Sequence, residues 1–147
     1  MSQASRRTAG ILLIVLPTVI YGGVSLLTLL INDPRYMENA LRQDLWRAGH
    51  AHAGVLLILS LVVLRYVDEA NLSEGWKWFV REAIPLPAIL LPVAFFLSVL
   101  SPEATEPNNL IYLAYVGAVV LALGLLVLGV GLVRKSKAAP MPEATRE

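Results

Sequence analysis

A chain of 147 residues that is 56% hydrophobic, with a mean hydropathy of +0.65, carries more apolar side chain than a soluble domain of this size needs to fill one core. It has no cysteine, which excludes disulfides, thiolate metal sites and thiol catalysis. The net charge of +1 points to no particular partner, and no nucleic-acid signature accompanies it.

A short basic segment, residues 1–8 with Arg6 and Arg7, leads into the first of four apolar runs, at about 9–31, 48–67, 84–100 and 110–133. Each is near the roughly 17–25 residues that a helix needs to cross hydrocarbon. Lipid offers the backbone no hydrogen-bond partners, so runs this long and continuous are expected to be helices and not barrel strands. The first run is expected to stay attached as a helix. It is too long for the apolar core of a signal peptide, and no small-residue cleavage site precedes the Asn32-Asp33-Pro34 turn.

Pro17 and the pair Gly22-Gly23 predict a bend in the first helix. Its polar residues Thr18, Tyr21, Ser25, Thr28 and Asn32 recur at steps of three and four, a stripe expected to face away from lipid. After the Asn-Asp-Pro stop, residues 32–46 turn amphipathic, and Tyr36 and Trp46 are expected to anchor a short interfacial helix at headgroup depth. The second run opens with Gly49-His50-Ala51-His52-Ala53-Gly54, which holds the chain's only two histidines.

The loop at 68–81 contains Trp76, Trp78 and Phe79, an aromatic belt with Lys77 and Arg81 placed to snorkel. Pro85 and Pro87 suit a first helical turn, and Pro92 predicts a kink inside the third helix. A short link at 101–107 precedes the fourth helix, which runs from the Asn108-Asn109 cap to Arg134-Lys135. Gly117 and Gly124 mark a small-residue face on it, suited to close packing within the chain, against a second copy in a homodimer, or against another subunit of a membrane complex. The tail at 134–147 is expected to be cytoplasmic and disordered.

Short connections favour an all-α, integral membrane, four-helix up-down bundle, one transmembrane domain over 9–133. Threading four spans puts nine Lys and Arg on one side (Arg6, Arg7, Arg65, Lys77, Arg81, Arg134, Lys135, Lys137, Arg146) and three on the other (Arg35, Arg42, Arg47). By the positive-inside bias both termini are expected in the cytoplasm and the protein in the plasma (inner) membrane. The histidines then lie near the outer face.

An ionisable, metal-competent side chain at the edge of a span is expensive to bury and is a functional candidate by default. Residues two apart on a regular helix sit about 200° apart, so joint ligation of one ion by His50 and His52 needs a non-helical start, which Gly49 permits. On a regular helix, His50 lies one turn before Gly54, whose missing side chain leaves room beside the imidazole, and His50 is then the better ligand. His52 is left as hydrogen-bonding support, or as a partner of Tyr112. Tyr21 and Tyr112 are expected to complete a polar cluster around the pair. The other reading of all these groups is interhelical hydrogen bonding. Asp33, Glu38, Asp44, Glu103 and Glu106 share the histidine side, so a mixed His/carboxylate metal site has its donors available there. No His-Glu-x-x-His, no Ser/His/Asp order and no phosphate loop is present.

The stretch Arg47-Ala-Gly-His-Ala-His-Ala-Gly-Val-Leu56 at the start of a second membrane helix resembles the His-Ala-His segment of small four-helix proteins similar to the haem–copper oxidase catalytic subunit. In that superfamily a histidine near the outer end of the second helix ligates a low-spin haem, so the resemblance implies His50 or His52 as a haem ligand. With no third histidine, this chain cannot build the rest of an oxidase centre. The expected function is therefore binding of a haem or a transition-metal ion near the outer face, in electron transfer, sensing or cofactor handling. The alternatives are a non-enzymatic accessory or scaffold subunit and a small transporter or channel.

Overall fold

A computed structural model describes residues 1–134, so all but the first residue of the expected tail at 134–147 lies outside the described residues. Those residues are helical throughout, with no strand. The order is α1 (Gln3–Asn32), α2 (Pro34–Glu38), α3 (Ala40–Val67), α4 (Glu74–Ala83), α5 (Pro87–Ser98), a 3-10 turn (Asn109–Ile111) and α6 (Tyr112–Val133). Four segments are long and apolar enough to cross a membrane: Gln3–Asn32, Ala40–Val67, Glu74–Ser98 and Asn109–Val133.

The capping residues explain where these elements start. Ser2 accepts the Ser5 amide at the head of α1, and Asp33 accepts the amides of Arg35 and Tyr36 at the head of α2, where Pro34 fills the first turn. Asn39 accepts the Arg42 amide and opens α3. No proline or glycine interrupts Ala40–Ala48, so the amphipathic segment runs into the apolar one as a single helix. The histidines thus stand more than two turns inside a regular helix, and the non-helical start that a shared site needs is absent. Further on, the prolines at 85 and 87 have no N–H to continue the ladder, and regular helix gives way to turn at 84–86 between α4 and α5.

The main packing order, α1 on α3, α3 on α5 and α5 on α6, follows the chain, with α4 also against α6. At one end are the start of α1, the end of α3, the start of α4 and the end of α6. There Ser5 donates to Asp68 at 3.2 Å, and the Asn71 amide donates to the Gly131 carbonyl at 2.9 Å. At the other end Asn39 donates to the carbonyls of Pro102 and Ala104. One apolar cluster joins Leu12, Leu57, Ala88 and Leu91 across α1, α3 and α5; a second joins Val67, Val80, Ile84 and Leu128 nearer the termini.

Helix α6 comes close to α5 because it presents glycine. A Cβ on Gly117 would run into Leu91, and one on Gly124 would lie 2.9 Å from Ile84 Cγ1. Both glycines are buried inside the chain, so the face suggested for a partner is occupied by the protein's own α5 and the turn before it. Helix α1 is the loosest element: 6% of its apolar span is buried, against 50% for Glu74–Ser98.

Three expectations about polar and aromatic residues are corrected. The stripe on α1 is not shielded: Thr18 and Thr28 are exposed, Tyr21 is 74% exposed, and the hydroxyls of Thr18, Ser25 and Thr28 donate to carbonyls of their own helix. Such back-bonding lets a hydroxyl face lipid without an unmet donor. Tyr36 is no surface anchor, being 1% exposed with its ring 5.7 Å from that of Trp46. Arg81 does not snorkel. It is buried, donating to Asp68 at 2.9 Å and to Ser5 at 3.1 Å.

Candidate functional site

Continuous helix through Ala40–Val67 sends the two imidazoles in different directions. His50 turns toward α1, where a Cβ on Gly23 would lie 3.1 Å from both its Cε1 and its Nε2, and one on Gly22 would lie 3.7 Å from its Nδ1. The Gly22-Gly23 pair is therefore the seat of the ring. Gly54 does not border the ring: it faces Val19 of α1, where a Cβ would make an ordinary 3.7 Å contact, so the approach there does not require glycine. Gly49, one residue before His50, is buried against Phe95 and Phe96 of α5. Gly49 on α3 and Gly23 on α1 thus let α5 and α1 stand close to α3 on two sides.

Between those two walls lies a groove of about 280 Å³. Its floor is His50, Ala53 and Leu57 of α3, its α1 wall includes Thr18 and Val19, and its α5 wall includes Ala88, Pro92 and Phe96. The lining is apolar apart from three groups. His50 is half-buried, and no hydrogen bond to it is present among the described residues. Thr18 donates to Val15 at 2.7 Å, leaving its oxygen as an acceptor. Pro92 has no N–H to give to the carbonyl four residues earlier, so the Ala88 carbonyl lacks its helical donor. The kink expected from Pro92 thus falls in the wall of the groove.

His52 is exposed on a different face. Its Nδ1 lies 2.7 Å from the Ala48 carbonyl oxygen and its ring centroid 5.3 Å from that of Phe95. A carbonyl only accepts, so Nδ1 carries the proton and in the neutral ring Nε2 keeps its lone pair. That is how metal-ligating histidines are usually held. By this criterion His52 is the better-prepared ligand of the two. Tyr112 is 63% exposed and pairs with Tyr115, ring centroids 6.1 Å apart; His52 bonds to Ala48 and not to Tyr112. Neither Tyr21 nor Tyr112 is brought into a hydrogen bond with a histidine among the described residues.

The donor set decides what can be held. Among the described residues no three or more His, Cys, Asp and Glu side chains gather as a metal site, so a bare ion has no protein cage. A porphyrin is too large for the His50 groove of about 280 Å³. Attachment at a single point through His52 Nε2 is the one haem arrangement that these residues fit.

A feature that the sequence hid stands at the same end. Arg42 is 6% exposed; its guanidinium donates from Nε to the Val99 carbonyl at 3.1 Å and lies 4.3 Å from the Trp46 ring centroid, while Trp46 donates to the Phe96 carbonyl at 3.1 Å. A cation at the carbonyl-rich end of α5 complements its dipole and fixes the last turn, which carries Phe96 into the groove. Its only sequence signal was the Arg42-Trp46 spacing of one helical turn, which reads equally well as a surface pair.

Searches for matching family models, curated proteins and solved structures found none, so the haem–copper resemblance rests on Arg47–Leu56 alone.

Proposed function

We propose that this is a multi-pass membrane protein, in the inner membrane with both termini cytoplasmic, that binds a small bilayer-dissolved molecule in the α1/α3/α5 groove. Its ligand has an apolar body of about one ring and a hydroxyl or carbonyl group that meets His50. The topology is supported by the described Lys and Arg: Arg6, Arg7, Arg65, Lys77, Arg81 and Arg134 share the end of the termini, against Arg35, Arg42 and Arg47 at the other.

The observation that carries the binding reading is an imidazole with no hydrogen-bond partner among the described residues, half-buried in a largely apolar groove. A polar group left without a partner in a low-dielectric site is costly, and a ligand hydroxyl satisfies it. Ligand sites are commonly apolar clefts with a few placed polar groups, of about 300–1,000 Å³, and this groove is at the small end. The reading is of a binder or carrier: beside His50 the lining offers the hydroxyl of Thr18, and its proton is held by the Val15 carbonyl.

The probe is an alkyl-substituted hydroquinone, titrated into protein in lipid nanodiscs. His50→Ala should weaken binding about tenfold, the worth of one buried hydrogen bond of about 1.4 kcal/mol. His52→Ala should leave it unchanged. Equal loss in both variants, or none in either, overturns the reading.

A second reading keeps a haem attached through His52, favoured by the Nδ1 bond to Ala48. Bound haem would supply one-electron chemistry, while Phe95 flanks the ligand ring. It predicts a Soret band in protein purified from a haem-replete host, lost in His52→Ala and retained in His50→Ala.

A further inference from the structure

From the end of α6 that is shared with the termini, we infer a binding site for an anionic diacyl phospholipid, held by Arg134. It is independent of the histidine groove. Two apolar furrows flank one ridge of α6, made by Leu126 and Val130, and both end at Arg134. The first, about 290 Å³, lies between α6 and the Leu72 and Trp76 side chains. The second, about 470 Å³, runs along α6 over Gly129 between Leu125 and Val133. Two shallow apolar furrows on either side of one ridge, both reaching one cation, match two acyl chains joined through glycerol to one phosphate.

The cations at this end narrow the choice. Arg65 is paired with Glu69 at 2.9 Å, Lys77 with Glu74 at 3.3 Å, and Arg81 with Asp68 at 2.9 Å. Among the described residues Arg6, Arg7 and Arg134 have no such partner. Arg6 and Arg7 border a hollow shared with Met1 and Gln3, whose lining is mainly polar. Among the described residues, Arg134 joins a guanidinium with no ion-pair partner to apolar furrows, and guanidinium is the side chain best shaped for a phosphate.

The furrows are built into the fold. Leu72 seats on Gly131, where a Cβ would lie 2.5 Å from its Cγ, and the neighbouring Asn71 amide bonds to the Gly131 carbonyl at 2.9 Å. Trp76, 53% exposed at the mouth of the first furrow, has the amphipathic ring that settles at headgroup depth. Gly129 is the dip of the second, since a Cβ there would meet nothing within 4 Å.

The test is native mass spectrometry of the full chain with phosphatidylglycerol or phosphatidylcholine of matched acyl chains. Wild type should retain phosphatidylglycerol in preference by about fivefold, the worth of one basic side chain at an anionic surface. Arg134→Gln should abolish that preference, while Lys135→Gln combined with Lys137→Gln keeps it. Gly129→Leu, which folds because the position is open, should lower retention of both lipids by filling one furrow. Equal retention of the two lipids by wild type overturns the site. So does a preference that survives Arg134→Gln and vanishes with the lysine changes, which assigns it to the basic tail, or unchanged retention in Gly129→Leu.

Discussion

Asp68 and Arg81 show how little of a buried ion pair can be read one residue at a time. Burial by itself raises the Asp68 pKa, but the Ser2 backbone N–H, the Arg81 guanidinium and the Ser2 and Ser5 hydroxyls outweigh it and hold the carboxyl well below the usual carboxylate range. The pair lies 13 residues apart across a loop and its serines come from the far end of the chain, so each ion read as an ordinary surface group. Removing one partner of a buried pair strands the other: Arg81→Met should cost about 3 kcal/mol of stability, read as lowered resistance to denaturant in detergent. A depressed carboxylate pKa gives stability that is complete above about pH 4, the unfolded value, and is lost as pH falls toward the folded one. The melting temperature of wild type should therefore fall between about pH 4 and 2 more steeply than that of Asp68→Asn. His50 gives a residue-scale prediction of another kind. Gly23→Val puts a side chain into its ring and should destabilise by about 1–3 kcal/mol, and His50→Ala should relieve part of that cost, a coupling measurable in a double-mutant cycle.

Among the elements, α3 and α6 show what periodicity carries and what it leaves out. The apolar run at 48–67 was legible, but its helix starts at Ala40, because hydropathy marks where lipid begins and Asn39 marks where hydrogen bonding begins. That difference moved the histidines from a helix edge to a helix interior and separated their tasks. On α6 the small-residue face at Gly117 and Gly124 was legible as a close-packing surface. Its partner was not, since spacing says nothing about which neighbour fills the space. Leu91 and Ile84 fill it. Gly117→Leu should accordingly destabilise the folded chain by about 1–3 kcal/mol, seen as a lower melting temperature. Size-exclusion with light scattering, applied to the folded fraction, should find the oligomeric state unchanged; loss of an oligomer without loss of stability would place that face at a subunit contact.

At the scale of the whole molecule, four apolar helices and their antiparallel order follow from composition and loop length, and both were readable in advance. The groove was not, because it forms only where α1 and α5 stand on two sides of α3, and no local pattern reports that spacing. Its ingredients were nonetheless in the sequence: Gly22-Gly23 and Gly49 set the distances, and Pro92 stands in its wall. A sparsely buried α1, clamped at one end by Ser2 and Ser5 on Asp68, forms one wall of that groove. With two histidines in the chain, protein labelled with carbon-13 in histidine gives one Cε1–Hε1 signal for each ring. On titration with the alkyl hydroquinone the His50 signal should shift and saturate while the His52 signal stays in place. A shift confined to His52, or no shift in either, would contradict His50 as the ligand contact.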